Sequence, residues 1–288
     1  MAKIIGDKGK SIFDPDLARE INEKFERESR KAKLEGKVQS KEPPIVQPEN
    51  KPTPITNLNN PEDYMILEGK TYDNYSYPDL LVSKYRLGSN LENYPNTGKE
   101  ANGREYIGNI DWKTALTLNL NCEGFTLNPR QFIDFLKLLK SGKVYDGKGN
   151  KINSIELENI YNEITQVRDP WRSEWLDAKF KEINNGLYLF SKHKLENGAL
   201  VPKYKEIIEP STLMKDKLSG INLDSLLKTA NKQGFPTNKT KNGQLYYWNP
   251  ENGRVAGFDA GSGRADLYCG GDPDGSSPAL GVRFAREK

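Results

Sequence analysis

The strongest constraint on the fold of this chain is a two-residue alternation near its C-terminus. In VAGFDAG the apolar residues alternate with glycine and aspartate, and in RADLYCG they alternate with arginine, aspartate, tyrosine and glycine. Alternation of this kind places successive side chains on opposite faces of a β-strand. We therefore expect two strands with one buried face and one open face. The residues predicted to be buried are Ala256, Phe258, Ala260, Ala265, Leu267 and Cys269.

The predicted open face has an unusual composition. Glycine and aspartate are poor strand formers, whereas an ordinary solvated strand favours threonine, lysine, glutamate and β-branched residues. Strand propensity therefore does not explain these residues, and we predict a ligand-binding surface within residues 254–283. Its predicted binding residues are Gly257, Asp259, Gly261, Arg264, Asp266, Tyr268, Gly270, Gly271, Asp272, Asp274, Gly275, Ser276 and Ser277.

These residue types share a property of the genetic code. Aspartate, glycine, serine and tyrosine are each reached from the asparagine codons AAC and AAT by changing one or both adenines. Adenine-directed mutation of a row of asparagine codons would therefore produce this set. The pattern lies between LYYWNP at residues 245–250 and LGVRFAR at residues 280–286, on a regular frame formed by Val255, Phe258, Ala260, Ala265, Leu267, Cys269 and Pro273.

With these motifs the last forty or so residues resemble the variable proteins of diversity-generating retroelements, above all those of archaea, their viruses and small-genome bacteria. In such systems a reverse transcriptase copies a template repeat with errors at adenines, and the copy replaces the 3′ end of the gene. The resemblance implies an α+β, C-type-lectin-like domain in which helices bracket a small mixed sheet. It also implies a scaffold of unvaried side chains, for which we predict Trp248, Phe258, Leu267, Cys269, Leu280 and Val282.

The resemblance further implies a non-enzymatic binder that needs neither a metal nor a cofactor. Its ligand is expected to be a protein or another cell-surface molecule, with Tyr268 as the main contact because tyrosine gives a large contact area at low entropic cost. The alternative is a phage or viral structural adhesin or receptor-binding protein of the same fold. A third hypothesis is an oxidase like the formylglycine-generating enzymes, which requires a paired cysteine site. Cys122 lies far upstream of Cys269, which argues against this hypothesis.

The chain before the lectin-like domain is expected to have two parts. Residues 1–38 contain a helix, with Asp14 as its N-cap, Pro15 in its first turn and Gly36 as its stop. Residues 39–62 are rich in proline and predict an extended linker, although an ordered strap along the domain is the alternative. Residues 1–62 could serve assembly, and residues 63–288 would form the domain.

The middle of the chain predicts mainly helices, each introduced by a capping residue. RQFIDFLKLLKSG follows Asn128 and places its large apolar residues on one face. SIELENIYNEITQV, DPWRSEWLDAKFKEI and a segment around residues 222–232 are also predicted helices. A hairpin at KVYDGKGNKI and strands at residues 186–190 and 200–201 complete the prediction.

Composition excludes several functions. The 43 basic and 40 acidic residues are interspersed and give a net charge of +3, so no basic stripe indicates nucleic acid. No apolar run has the length of a membrane span or a signal peptide, so a cytoplasmic or virion-associated protein is expected.

The residues that could form a catalytic or metal site are few. Two cysteines and one histidine are too few for a zinc site; core thiols or a single bridge between the cysteines both remain open. His193 is predicted at the surface, and Glu174 and Asp177 on the solvated face of a helix. Asp272 and Asp274 lack the glycine and closing glutamate of a calcium loop.

Overall fold

A nine-stranded mixed sheet organises the residues that the computed structural model describes. These are residues 56–73, 75–88, 94, 96–214, 222–238 and 245–288, all within the unit Asn50–Lys288. The predicted helix in residues 1–38 and the greater part of the predicted linker lie outside the described residues.

The thirteen strands of the described chain fall into one large sheet and two small ones. The large sheet contains β1 (Tyr64–Leu67), β4 (Leu80–Arg86), β7 (Arg172–Ile183), β8 (Gly186–Glu196), β9 (Ala199–Ile207), β10 (Leu245–Trp248), β11 (Val255–Ala260), β12 (Ala265–Gly271) and β13 (Leu280–Glu287). The two hairpins are β2 (Lys70–Tyr72) with β3 (Tyr75–Tyr77), and β5 (Asn96–Lys99) with β6 (Glu105–Ile107).

The strand order of the large sheet is β1-β4-β13-β7-β11-β12-β10, and β8 and β9 extend it as a hairpin from the far end of β7. Two pairs are parallel, β13 with β7 and β10 with β12, and the others are antiparallel. The late strand β13 thus joins β4, from the start of the domain, to the strands that carry the predicted binding residues. The predicted α+β class is confirmed, although the sheet is larger than expected.

Four helices pack on this sheet in the described residues, and each begins at a capping side chain. They are α1 (Trp112–Asn121), α2 (Pro129–Ser141), α3 (Ser154–Thr165) and α4 (Leu223–Thr229). The side chain of Asn128 accepts a hydrogen bond from the backbone of Gln131 and forms a full capping box, and Gly142 ends α2 with a left-handed backbone. The predictions of α2, α3 and α4 are confirmed.

Two apolar clusters lie on opposite faces of the sheet. Trp175 and Leu176 are consecutive on β7 and therefore point to opposite faces. Trp175 belongs to the cluster that contains α1, whereas Leu176 belongs to the larger cluster that contains α2, α3 and α4. Helices thus lie on both faces of the sheet.

The segment DPWRSEWLDAKFKEI was predicted to be a helix, and this prediction is wrong. Asp169 and Pro170 lie in a bend, and β7 follows from Arg172 with strands paired on both of its edges. Residues 172–178 are all buried, including Glu174 and Asp177, which therefore do not lie on a solvated helix face. Pairing with two neighbouring strands overrides the local preference of these residues for helix.

Residues 56–62, which the sequence assigns to the linker, are docked on the domain. They form two short 3-10 turns, Thr56–Asn59 and Pro61–Asp63. Leu58 is buried and its carbonyl accepts a hydrogen bond of 2.7 Å from the Tyr64 hydroxyl, while the Pro61 carbonyl accepts one from the backbone of Gly147. Residues 56–62 therefore belong with the domain and not with the predicted linker.

No described helix combines the length and the apolar character that crossing a membrane requires.

Candidate functional site

The predicted alternation of β11 and β12 is present, and it divides the two strands into an anchored and an interleaved set. The anchored residues Ala256, Phe258, Ala260, Ala265, Leu267 and Cys269 are each at most 4% exposed. The ring of Phe258 packs against that of Phe132 in α2, with centroids 5.2 Å apart. Leu280 and Val282 are also buried, so five of the six predicted scaffold residues lie in the core.

The interleaved residues lie on the other face of the sheet, beyond the part that α1 covers. Asp259 in β11 is the direct register partner of Asp266 in β12. On the other edge of β12, Tyr246 and Trp248 of β10 stand beside Asp266 and Tyr268. We call the resulting surface the acidic aromatic face; it consists of Ser173, Tyr246, Trp248, Asp259, Arg264, Asp266 and Tyr268.

Two carboxylates form the centre of this face. The Ser173 hydroxyl donates a short hydrogen bond to Oδ1 of Asp259, and Nε of Arg264 donates one of 3.1 Å to Oδ2 of Asp266. Burial, reinforced by the charge of Asp266, raises the pKa of Asp259 to about 7. Burial also raises the pKa of Asp266 to about 6, although Arg264 opposes the shift. Near neutral pH these side chains are therefore only partly ionised.

Aromatic rings border the carboxylates. Trp248 and Tyr268 meet edge to face, with centroids 5.5 Å apart and ring planes at 89°. The guanidinium carbon of Arg264 lies 4.8 Å from the Tyr246 centroid and 5.9 Å from that of Trp248. Tyr268 is only partly buried, and burial raises its pKa to about 12, so it stays a neutral hydrogen-bonding group. The face offers large contact area beside negative charge.

The prediction that Trp248 belongs to the core scaffold is wrong. It is partly exposed and lies on the acidic aromatic face, because Leu245 and Tyr247 are the members of β10 that fill the core. Tyr246 was not predicted as a site residue at all. The two-residue alternation within LYYW was the signal that could have identified both.

The predicted glycines differ in whether a side chain could replace them. A Cβ on Gly261 would stay 3.8 Å or more from other atoms, whereas one on Gly270 would press only on the movable Tyr268 ring, at 3.3 Å. A Cβ on Gly257 would lie 3.3 Å from the Glu174 carbonyl oxygen. On Gly271 it would lie 2.8 Å from the carbonyl oxygen of Val255. Gly271 and Gly257 are buried, and Gly271 is not an exchangeable surface position.

The remaining predicted residues lie on the loop between β12 and β13. Asp272, Asp274 and Ser276 are exposed, and Oδ1 of Asp272 accepts a hydrogen bond of 3.1 Å from the backbone of Asp274. A Cβ on Gly275 would lie 3.1 Å from the Asp272 carbonyl oxygen. The Ser277 carbonyl accepts a hydrogen bond of 2.7 Å from the backbone of Asn109, which anchors the loop. These residues form a separate, loop-borne surface.

A second group of charged residues is buried where β4, β13 and β7 meet. We call it the buried ionic cluster; it contains Arg86, Glu100, Glu163, Arg172, Glu174 and Arg283. Arg86 donates two hydrogen bonds, of 2.9 and 2.8 Å, to the carboxylate of Glu100, and Nε of Arg283 donates one of 3.1 Å to Glu174. Although burial opposes ionisation, Arg172 and its neighbouring arginines lower the pKa of both Glu100 and Glu174.

His193 is not at the surface, contrary to the prediction. It lies in β8, is 6% exposed, and its Nδ1 is 2.5 Å from Oδ1 of Asp177. The ring of Trp112 packs against it edge to face, 5.1 Å away between centroids. The pair is a closed structural contact between β7 and β8.

Neither cysteine is in a disulfide. Cys269 lies in the larger apolar cluster and Cys122 at the margin of the smaller one, on the opposite face of the sheet. Within the residues that the structure describes, no group of three or more histidine, cysteine and carboxylate side chains is arranged to hold a metal ion. The described cysteines thus do not form the paired site of a formylglycine-generating oxidase.

Comparison of the chain with family models, with curated proteins and with solved structures gives no match.

Proposed function

We propose that this chain is a non-enzymatic binding protein with a C-type-lectin-like fold, whose C-terminal surface is diversified by adenine-directed retroelement mutagenesis. The observation that carries the proposal is the division of β11 and β12 into an anchored and an interleaved set. The anchored side chains are fully buried, while Asp259 and Tyr268 reach the surface between them. Exchange of the interleaved residues can thus change binding while leaving the core intact.

The architecture supports the lectin-like part of the proposal. Helices lie on both faces of a mixed sheet, and the late strand β13 pairs with β4 from the start of the domain. Strands β11 and β12 then present their interleaved side chains beside β10, on a rigid sheet rather than on a mobile loop. Sites on such scaffolds hold their contact residues more precisely than loops do.

The chemistry of the face supports binding. Tyrosine and tryptophan are enriched among the few residues that dominate binding energy in protein interfaces, and here Tyr268 and Trp248 are adjacent and partly exposed. Aspartate and serine add hydrogen bonds that can adapt to a partner. A protein or a cell-surface molecule is therefore the proposed ligand class.

The genomic locus tests the origin of the face. We expect a reverse transcriptase gene nearby and a second copy of the stretch that encodes residues 254–283. The two copies should differ only where the template has adenine. A locus with neither feature would refute diversification, even if the protein binds a ligand.

A pair of libraries tests the exchangeable surface directly. The first varies Asp259, Gly261, Asp266 and Tyr268 over the residues reachable from asparagine codons, and the second varies Phe258, Ala260, Leu267 and Cys269 in the same way. Because the first set lies at the margin of the surface and the second in the core, substitutions in the first set should cost less stability, and most of the first library should fold. The second should be largely unfolded, as judged by protease resistance on a display system. Equal losses in both libraries would contradict the proposal.

A further inference from the structure

The acidic aromatic face has an imbalance of charge. It holds two carboxylates, Asp259 and Asp266, and one cation on the same face, Arg264. Arg172 of β7 also acts on Asp259, but it lies in the buried ionic cluster, at 3.4 Å from Glu174 and 3.8 Å from Glu100 and Glu163, and its Nε and Nη1 make no hydrogen bond. Among the residues of the face itself, two carboxylates therefore share one cation.

One oxygen on this face has no partner. Oδ2 of Asp266 accepts from Arg264, whereas Oδ1 is buried and makes no hydrogen bond; the residue as a whole is 9% exposed. A buried acceptor without a donor costs about 1–3 kcal/mol, so a native structure rarely leaves one without a reason. A donor supplied by a ligand would remove that cost.

The aromatic residues next to the carboxylates favour a cation over a neutral sugar. Tyr246 and Trp248 already hold the guanidinium of Arg264 over their rings, which shows that this arrangement accommodates a cation. Trp248 and Tyr268 stand at 89° to one another, so they form an angled wall rather than a flat platform for a pyranose ring. Such a wall suits a compact positive group held against a carboxylate.

We propose that the acidic aromatic face of this variant binds a lysine or arginine side chain of a partner protein, held between Asp259, Asp266 and the rings of Tyr268 and Trp248. The inference rests on the proposed function, because it names the ligand chemistry of the same face. The incoming cation pairs with Asp259 and with Asp266, whose Oδ1 is buried in the free chain and turns toward the cation on binding.

This mode of binding couples affinity to pH. The groups that face Asp259 are Ser173 and Arg172 on β7, Asp266 and Tyr268 on β12, and Arg264 in the preceding turn; Tyr246 on β10 faces Asp266. With the pKa of Asp259 at about 7 and that of Asp266 at about 6, the free face is partly protonated at pH 5.5. A cation binds the ionised form, so binding is expected to tighten from pH 5.5 to pH 8.

Selection from a phage-displayed random dodecapeptide library on the immobilised full-length chain at pH 8 tests the proposal. Selected peptides are expected to be enriched in lysine and arginine, and alanine replacement of the basic residue should abolish binding. Affinity for the doubly substituted Asp259→Asn, Asp266→Asn chain should be at least about tenfold lower. These substitutions remove buried charge and keep the side-chain shape, and a thermal melt checks that the chain is folded.

A matched control removes the same charge elsewhere. Glu158 on α3 and Glu182 near the end of β7 are exposed, and the Glu158→Gln, Glu182→Gln chain should bind the selected peptides like the parent. If both double variants bind the peptides more weakly, the loss of net negative charge explains the effect. That result would overturn a specific contact with Asp259 and Asp266.

The remaining outcomes separate this inference from the proposed function. One outcome would overturn the cation proposal alone: peptides without basic residues, or uncharged glycans on an array, bind the face. Their binding would be abolished by Tyr268→Ala and kept by the double aspartate variant. Peptides whose binding is insensitive to Tyr268→Ala, Trp248→Ala and the aspartate variant would count against the binding face as well. Failure to select any peptide would overturn the cation proposal, and the locus and library tests would still decide the proposed function.

Discussion

Two of the described regions that bury carboxylates differ in the number of cations they supply. In the buried ionic cluster three arginines lower the pKa of Glu100 and of Glu174, while burial and the neighbouring Glu100 raise the pKa of Glu163. On the acidic aromatic face, Asp259 and Asp266 share one arginine and their pKa values rise. In the buried ionic cluster, arginines of the fold compensate the negative charge of these carboxylates. On the acidic aromatic face, that charge is left to be compensated by solvent protons or by a ligand. Charge balance thus distinguishes a structural cluster from a candidate binding site.

Removing a partner from the compensated region should have the largest effect. Glu174→Ala would leave Arg172 and Arg283 buried without their shared carboxylate, at a cost of about 3–5 kcal/mol in the free energy of unfolding. Urea denaturation measures this cost. If the alanine variant does not fold, Glu174→Gln should still show a reduced midpoint. Glu158→Gln, on the exposed face of α3, serves as the control, and an equal effect of both glutamine substitutions would remove the distinction between the regions.

Backbone crowding at the edge of the face should give the next largest effect. Gly271→Ala would push a methyl group against the Val255 carbonyl, and we expect a loss of about 2 kcal/mol. Gly261→Ala meets open space and should change stability by less than about 0.5 kcal/mol. Thermal melts of the two single variants provide the comparison. A tolerated alanine at 271 would show that β11 and β12 can separate there.

The uncompensated carboxylates should make stability depend on pH. The pKa of Asp259 is about 7 in the folded chain, above the value of 3.8 for a free aspartate, so the unfolded state loses its proton first. Stability from this group is therefore complete below pH 4 and is lost as pH rises to about 7. Relative to the parent, Asp259→Asn should show no gain in stability at pH 4 and a gain that grows as the pH rises to 8, as measured by thermal melts across this range. A constant difference between the two curves would contradict the raised pKa.

The smallest effect is expected at the proposed contact residue. Tyr268→Ala removes a partly exposed ring and its edge-to-face contact with Trp248, at a cost of less than about 1 kcal/mol. Binding of a selected peptide should nevertheless fall by about tenfold or more, which calorimetry would measure. A loss of stability as large as that of Glu174→Ala would place Tyr268 in the core instead.

The sequence was sufficient to predict the helices and strands whose local residue pattern agrees with their surroundings in the folded chain. Capping by Asn128 and the spacing of Phe132 and Phe135 predict α2, and the alternation of Phe258 and Leu267 with polar residues predicts β11 and β12. In each case the side chain that faces the core is apolar. Local pattern and tertiary packing then give the same answer.

The elements that sequence reasoning missed are those with polar residues in the interior. β7 buries Arg172, Glu174 and Asp177 beside Trp175 and Leu176, so no two-residue apolar alternation marks it as a strand. Asp177 also contacts His193 in the interior. The sequence predicts His193 at the surface because its partner is sixteen residues away. The partners of these charges are contributed by distant strands, and a single sequence does not show them.

Under the proposed retroelement mutagenesis, strand β13 has a consequence for which copies of the protein fold. It lies between β4 and β7 and is the only described strand that joins them, and it leaves the ribosome after every other described strand. Any copying error in residues 254–283 that shifts the reading frame or introduces a stop codon removes this strand together with Arg283. Without β13, β4 and β7 have no strand between them, so we expect such a product to be unfolded and degraded. Under the proposal, the fold would thereby restrict the surviving copies to those that retain the whole binding surface.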